Sequence, residues 1–132
     1  VHLEACKDAR QIAEDIHKAG ARAGIAIKPK TPLEEVTNIV DAYDQLLIMS
    51  VEPGFGGQSF IPESLEKAKA AKALLAGKDI WLQIDGGVDE SNIASIAKSG
   101  VDTFVAGSAV FKASNRNAQI DLLRNLAYEA LS

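Results

Sequence analysis

The chain is poor in cysteine: its 132 residues include one, Cys6. A lone thiol makes no internal disulfide, so no cystine framework is expected to hold the fold. No base stands beside it in the sequence, and Cys6 reads as a small core-facing residue at a strand end rather than a nucleophile. Also missing are a charged-then-apolar leader and any apolar run long enough to span a bilayer. A cytoplasmic protein with no membrane partner is therefore expected. There is no basic block either. The 14 Lys and Arg are scattered, as at Lys67, Lys69 and Lys72, against 18 Asp and Glu, for a net charge of -4. Nucleic acid attracts clustered positive charge, so it is not an expected partner.

What the chain does have is an ordinary globular composition, 47% hydrophobic and 24% charged, in a length that suits one domain. One unit recurs five times: a short apolar run rich in β-branched residues, a small loop, then an amphipathic helix ending at or near Gly. Strands are expected at Val1–Ala5, Ala23–Ile27, Gln45–Ser50, Ile80–Ile84 and Thr103–Ala106. Helices are expected over about 8–19, from Thr31–Pro32–Glu34 onward, and over about 62–75, 90–98 and 118–131. The second helix has a capping box with Pro at the first helical position, which makes its start the sharpest boundary in the sequence. Leu46–Met49 is apolar on consecutive positions, as in a parallel strand buried on both faces. Alternating strands and helices then give an open doubly wound sheet or a closed (β/α)8 barrel. Met49, Asp85 and Gly107–Ser108 all fall at C-terminal strand ends, the active face of a barrel, and this favours the barrel. Ile25, Ile27, Leu47 and Ile84 are assigned to its inward face.

Three segments carry chemistry. Val51-Glu52-Pro53-Gly54-Phe55-Gly56-Gly57-Gln58 follows a buried strand, and its three glycines let several N–H groups converge on an anion, although a glycine-rich loop is equally a plain flexible connection. In Ile84-Asp85-Gly86-Gly87-Val88 a carboxylate ends an apolar strand, where it can act as an acid, a base or a metal ligand; on its own the segment reads as an Asp-Gly turn. In Val105-Ala106-Gly107-Ser108-Ala109-Val110-Phe111 a strand runs into Gly-Ser, which is either a simple helix cap or a phosphate site. Asp44 and Asp102 precede their strands, on the stability face, and read as caps or salt-bridge partners. His2 reads as a satisfied strand histidine and His17 as exposed.

The stretch Met49-Ser50-Val51-Glu52-Pro53-Gly54-Phe55-Gly56-Gly57-Gln58 resembles, almost letter for letter, the signature segment of ribulose-phosphate 3-epimerases, and the resemblance extends from His2 to the last helix. It implies one partial TIM-barrel domain over 1–132, holding about strands 4 to 8 of a (β/α)8 barrel. It also implies interconversion of D-ribulose 5-phosphate and D-xylulose 5-phosphate through a 2,3-enediolate by two-base proton transfer. Asp85 then takes two roles, proton exchange with the substrate carbon and ligation of one divalent metal ion (zinc, iron, manganese or cobalt). Gly54, Phe55, Gly56, Gly57, Gly86, Gly87, Gly107 and Ser108 hold the sugar phosphate, and Met49 joins a methionine wall against the reacting carbons. The family's metal-binding histidines, second aspartate and substrate-contacting serine belong to strands one to three. The chain starts without a methionine, in mid-strand by this reading, so an N-terminal portion is expected to be absent. These residues alone are expected to be inactive, and the full-length enzyme to be a homo-oligomer. Ser50, where threonine is common, and the large Trp81 are the departures. A hexulose-phosphate 3-epimerase and a non-catalytic phosphate-binding half-barrel module are the alternatives.

Overall fold

The computed structural model describes residues 1–132. Four parallel strands, β1 (Gly24–Ile27), β2 (Gln45–Met49), β3 (Trp81–Asp85) and β4 (Thr103–Val105), lie side by side in sequence order. Helices α1 (Ala9–Lys18), α2 (Ser64–Leu74), α3 (Ile93–Lys98), α4 (Ser108–Phe111) and α5 (Arg116–Glu129) complete the chain. Neighbouring strands pair in parallel without skipping, as in an arc of a βα barrel. No helix is long and apolar enough to cross a membrane.

Strand alternation assigns the two faces of this arc. Ile25 and Ile27 of β1, Leu46 and Ile48 of β2, and Leu82 and Ile84 of β3 are fully buried in one cluster with Ala68, Ala71, Ile96 and Ala97 of the helices. They face outward, under the helices. The expected inward placement of Ile25, Ile27 and Ile84 is therefore corrected, because a β-branched run shows burial without showing which side buries it. The concave face carries Leu47, Met49, Gln83, Asp85, Thr103 and Val105.

Two other expectations fail locally. The strand at Val1–Ala5 shrinks to one parallel bridge, His2 to Ala26, because the chain turns into a 3-10 helix at Leu3–Ala5. The helix at Thr31 is instead two 3-10 turns, Leu33–Val36 and Val40–Ala42, and no capping box forms. The Thr31 hydroxyl donates 2.5 Å to Glu4 Oε1, which also accepts the Lys28 amide at 2.6 Å. Tertiary bonding has taken the capping side chain. Burial pushes the Glu4 carboxyl up, but these two donors outweigh it and hold the carboxyl below its ordinary value. From the other side, the Lys67 ammonium on α2 donates to the carbonyls of Lys28, Pro29 and Thr31 at 3.2, 2.6 and 2.8 Å. The loop after β1 is thus tied at both its donors and its acceptors. His2 is not satisfied: its Nδ1 is buried without a hydrogen bond, 3.9 Å from Glu4 Oε2.

At the N-terminal edge two aspartates do the same work. Asp44 Oδ2 accepts the Ala23 amide at 2.6 Å and pairs with His17 Nε2 at 2.8 Å, while both Asp102 oxygens accept the Leu82 amide at 3.1 and 3.2 Å. Each carboxylate, set just before its own strand, clamps the start of the neighbouring one. His17 is exposed as expected, yet paired. The His17 hydrogen bond, with the Ala23 amide second, holds the Asp44 carboxyl below its ordinary value. Asp44→Ala should lower stability at neutral pH by about 1–2 kcal/mol, at the low end because the pair is partly in water. A depressed carboxyl stabilises the fold above its unfolded pKa of about 4, and this contribution disappears as pH falls through the lower folded value. Urea midpoints of the two proteins should therefore differ at pH 7 and converge at the acid end.

Candidate active site

The C-terminal rim of the sheet gathers the residues singled out above. Register places Met49, Asp85 and Val105 side by side on the concave face. Asp85 thus stands between two apolar side chains, and no hydrogen bond or ion pair reaches its carboxylate. Burial pushes its pKa above the ordinary carboxylate value. A carboxyl raised in this way, at a strand end, is suited to acid–base chemistry. Met49 is 7% exposed and forms one wall beside it.

Directly after Asp85 the chain turns through Gly86 and Gly87, with φ of +129° and +68°. A Cβ on Gly86 would stand 2.5 Å from Val51 Cγ2, and one on Gly87 would overlap the Phe60 backbone. The Asp85 turn and the two ends of the glycine-rich loop are therefore in backbone contact, which only glycine permits. Asn92 holds the turn from beneath: its Nδ2 donates to the Gly87 carbonyl at 2.8 Å and its Oδ1 accepts the Asp89 amide at 3.0 Å. The loop also bonds to itself, with Gln58 Nε2 donating to the carbonyls of Glu52 and Phe55 at 2.6 and 3.0 Å.

Between these segments opens a polar cleft of about 460 Å³, lined among others by Gly57, Gln58, Gly87, Ser91, Asn92 and Ser108. Ser108 begins α4, whose leading N–H groups have no intrahelical acceptor. Among the expected phosphate contacts, the structure brings Gly57, Gly87 and Ser108 to one cleft. Gly54, Phe55 and Gly56 sit at the exposed loop tip, Phe55 being 72% exposed, while Gly86 packs against Val51 and Gly107 precedes α4. Ser91 and Asn92 went unnoticed in the sequence, where an Asp-x-Ser-Asn turn reads only as a helix cap.

A larger apolar groove of about 770 Å³ lies elsewhere, between α5, α3 and β4, lined by Phe104, Phe111, Leu123 and Tyr128. It follows the unpaired edge of β4, and of its charged lining residues Asp102 is bound to the Leu82 amide and Arg124 to Asp121; the Asp85 turn borders the smaller cleft instead.

No three His, Cys, Asp or Glu side chains come together in a group able to hold a metal ion. Asp85 alone does not make a cation site, and the residues of this chain do not by themselves fit the expected metal.

Residues 1–111 match the family model described as the ribulose-phosphate 3 epimerase family. The ribulose-phosphate 3-epimerase of Mycobacterium tuberculosis H37Rv is 49% identical over 128 residues, 96% of this chain and 56% of that protein. The ribulose-phosphate 3-epimerase of Escherichia coli K12 is 42% identical over 126 residues, 94% and 56% respectively. The chain spans about half the length of the curated relatives it matches. Among solved structures, 3-hexulose-6-phosphate synthase from Salmonella typhimurium shares the fold with a TM-score of 0.67 at 17% identity, covering 93% of this chain and 58% of that one.

Proposed function

Because this chain belongs to the ribulose-phosphate 3-epimerase family, we propose that it forms the phosphate-holding part, with one acid–base group, of an isomerase that inverts carbon 3 of D-ribulose 5-phosphate to give D-xylulose 5-phosphate. The desolvated carboxyl of Asp85, one residue from the glycine turn that borders the polar cleft, carries this reading. With the phosphate held by Gly57, Gly87 and the Ser108 end of α4, the sugar extends along the rim toward Met49 and Asp85. Asp85 takes the proton from carbon 3, leaving a 2,3-enediolate whose negative charge lies on the sugar oxygens. Inversion then needs a proton delivered to the opposite face. Asp85 is the one titratable side chain that β2, β3 and β4 present to the concave face, so a second group must come from another element. On this reading the isolated 132-residue chain is inactive.

A divalent cation would supply Lewis-acid stabilisation of the enediolate. We offer Asp85 as one of its ligands; the remainder would have to come from residues outside this chain, and no step here depends on it.

The test is carbon-3 exchange. In D2O the intact protein that carries these residues should convert D-ribulose 5-phosphate to D-xylulose 5-phosphate with deuterium incorporated at carbon 3, as read by NMR. Conversion without deuterium at carbon 3, or no conversion, would refute the proposal. A preference for a hexulose 6-phosphate would reassign the substrate to a six-carbon sugar.

A further inference from the structure

Ser50 ends the apolar run of β2 and is fully buried, a hydroxyl where packing alone would favour a hydrocarbon. All three of its polar groups are used, and each reaches a different piece of the rim. Its Oγ donates to the Gly86 carbonyl at 2.7 Å. Its amide donates to the Asp85 carbonyl at 2.9 Å, and its carbonyl accepts the Ile61 amide at 2.8 Å. The first two bonds fix the peptide planes on either side of Gly86, Asp85–Gly86 and Gly86–Gly87. The third closes the base of the loop that runs from Val51 to Phe60. Next to this junction, Gly86 abuts Val51 and Gly87 abuts Phe60. The catalytic turn and the phosphate loop are therefore joined through one residue.

We infer that Ser50 is a positioning residue: its hydroxyl sets the Gly86 peptide so that the Asp85 carboxyl and the Gly87 side of the phosphate cleft are presented together. This rests on the function proposed above, and deepens it by naming what couples the acid–base group to the phosphate grip. Ser50 itself is fully buried, and its three polar groups are all bound within the rim. Without the hydroxyl, the buried Gly86 carbonyl loses its donor and the turn is free to rotate toward another one.

The molecule contains its own control. Ser99 is also buried and also donates its Oγ to a backbone carbonyl, that of Ile96 at 2.6 Å, but it does so within the end of α3, away from the rim. In the intact protein, Ser50→Ala should raise KM and lower kcat together, with kcat/KM falling about tenfold or more. Ser99→Ala should leave kcat/KM within about twofold while lowering the urea midpoint about as much as Ser50→Ala does. Amide exchange supplies a reading that does not depend on turnover: Ser50→Ala should lower protection at Ile61 and at position 50 itself, and Ser99→Ala only around α3. Wild-type activity retained in Ser50→Ala, an equal activity loss in Ser99→Ala, or unchanged protection at Ile61 and position 50 would each overturn the inference. A wild-type protein without epimerase activity would refute the proposed function instead, and exchange would still decide whether Ser50 couples the two loops.

Discussion

Asp85→Asn in the intact protein should reduce kcat by about three orders of magnitude or more while the fold survives. The amide matches the carboxylate in shape but cannot take the proton from carbon 3. No hydrogen bond or ion pair to the carboxylate is lost, since none exists. Stability should even rise. Burial raises the Asp85 pKa in the folded protein, so the folded state binds the proton more tightly than the unfolded chain does. Its ionisation therefore costs stability as pH climbs from the unfolded value of about 4 through the raised folded one. Asparagine has no such cost. Urea midpoints should be similar for the two proteins below pH 4 and favour the variant at pH 7. A variant that keeps more than about a tenth of wild-type turnover would remove Asp85 from the acid–base role.

Gly87→Ala should damage both the fold and the phosphate grip. The residue has φ of +68°, and a Cβ there would overlap the amide nitrogen and Cα of Phe60, which are backbone atoms that cannot swing aside. The glycine-rich loop would be pushed away from the Asp85 turn, at a cost of about 1–3 kcal/mol in strain before any ligand binds. A lower melting temperature and a KM for the sugar phosphate raised about tenfold or more are expected together. Gly56→Val makes the informative contrast. Nothing lies within 4 Å of a Cβ at Gly56, and its φ is not in the left-handed region. The valine variant should melt as the wild type does, and any rise in KM would then report contact between the loop tip and the phosphate. Equal melting temperatures for Gly87→Ala and wild type would show that the two loops are not packed as described.

The parallel βα character of the chain was legible in the run Leu46–Met49, because a strand covered on both faces has no polar positions to interrupt it. The rim was legible in Asp85-Gly86-Gly87 and Gly107-Ser108, since glycine after a strand signals backbone crowding whatever the fold around it. Family membership was carried by the stretch from Met49 to Gln58. Other features depended on partners far away in the chain. Thr31 looked like a helix cap and is instead bound to Glu4, 27 residues earlier. Lys67 looked like a scattered surface charge and instead binds three carbonyls of the loop after β1. Ile25 and Ile84 were recognisable as buried, but whether they pack under the helices or toward the concave face is set by sheet curvature and helix placement, which local periodicity does not encode. The sequence by itself thus determined the order of strands β1 to β4 and the chemical types at their ends, because these follow from local patterning. Only the tertiary structure decided which face Asp85 shares with Met49 and Val105, and that Ser50 joins its turn to the phosphate loop, because those relations come from register and hydrogen bonds between separate segments.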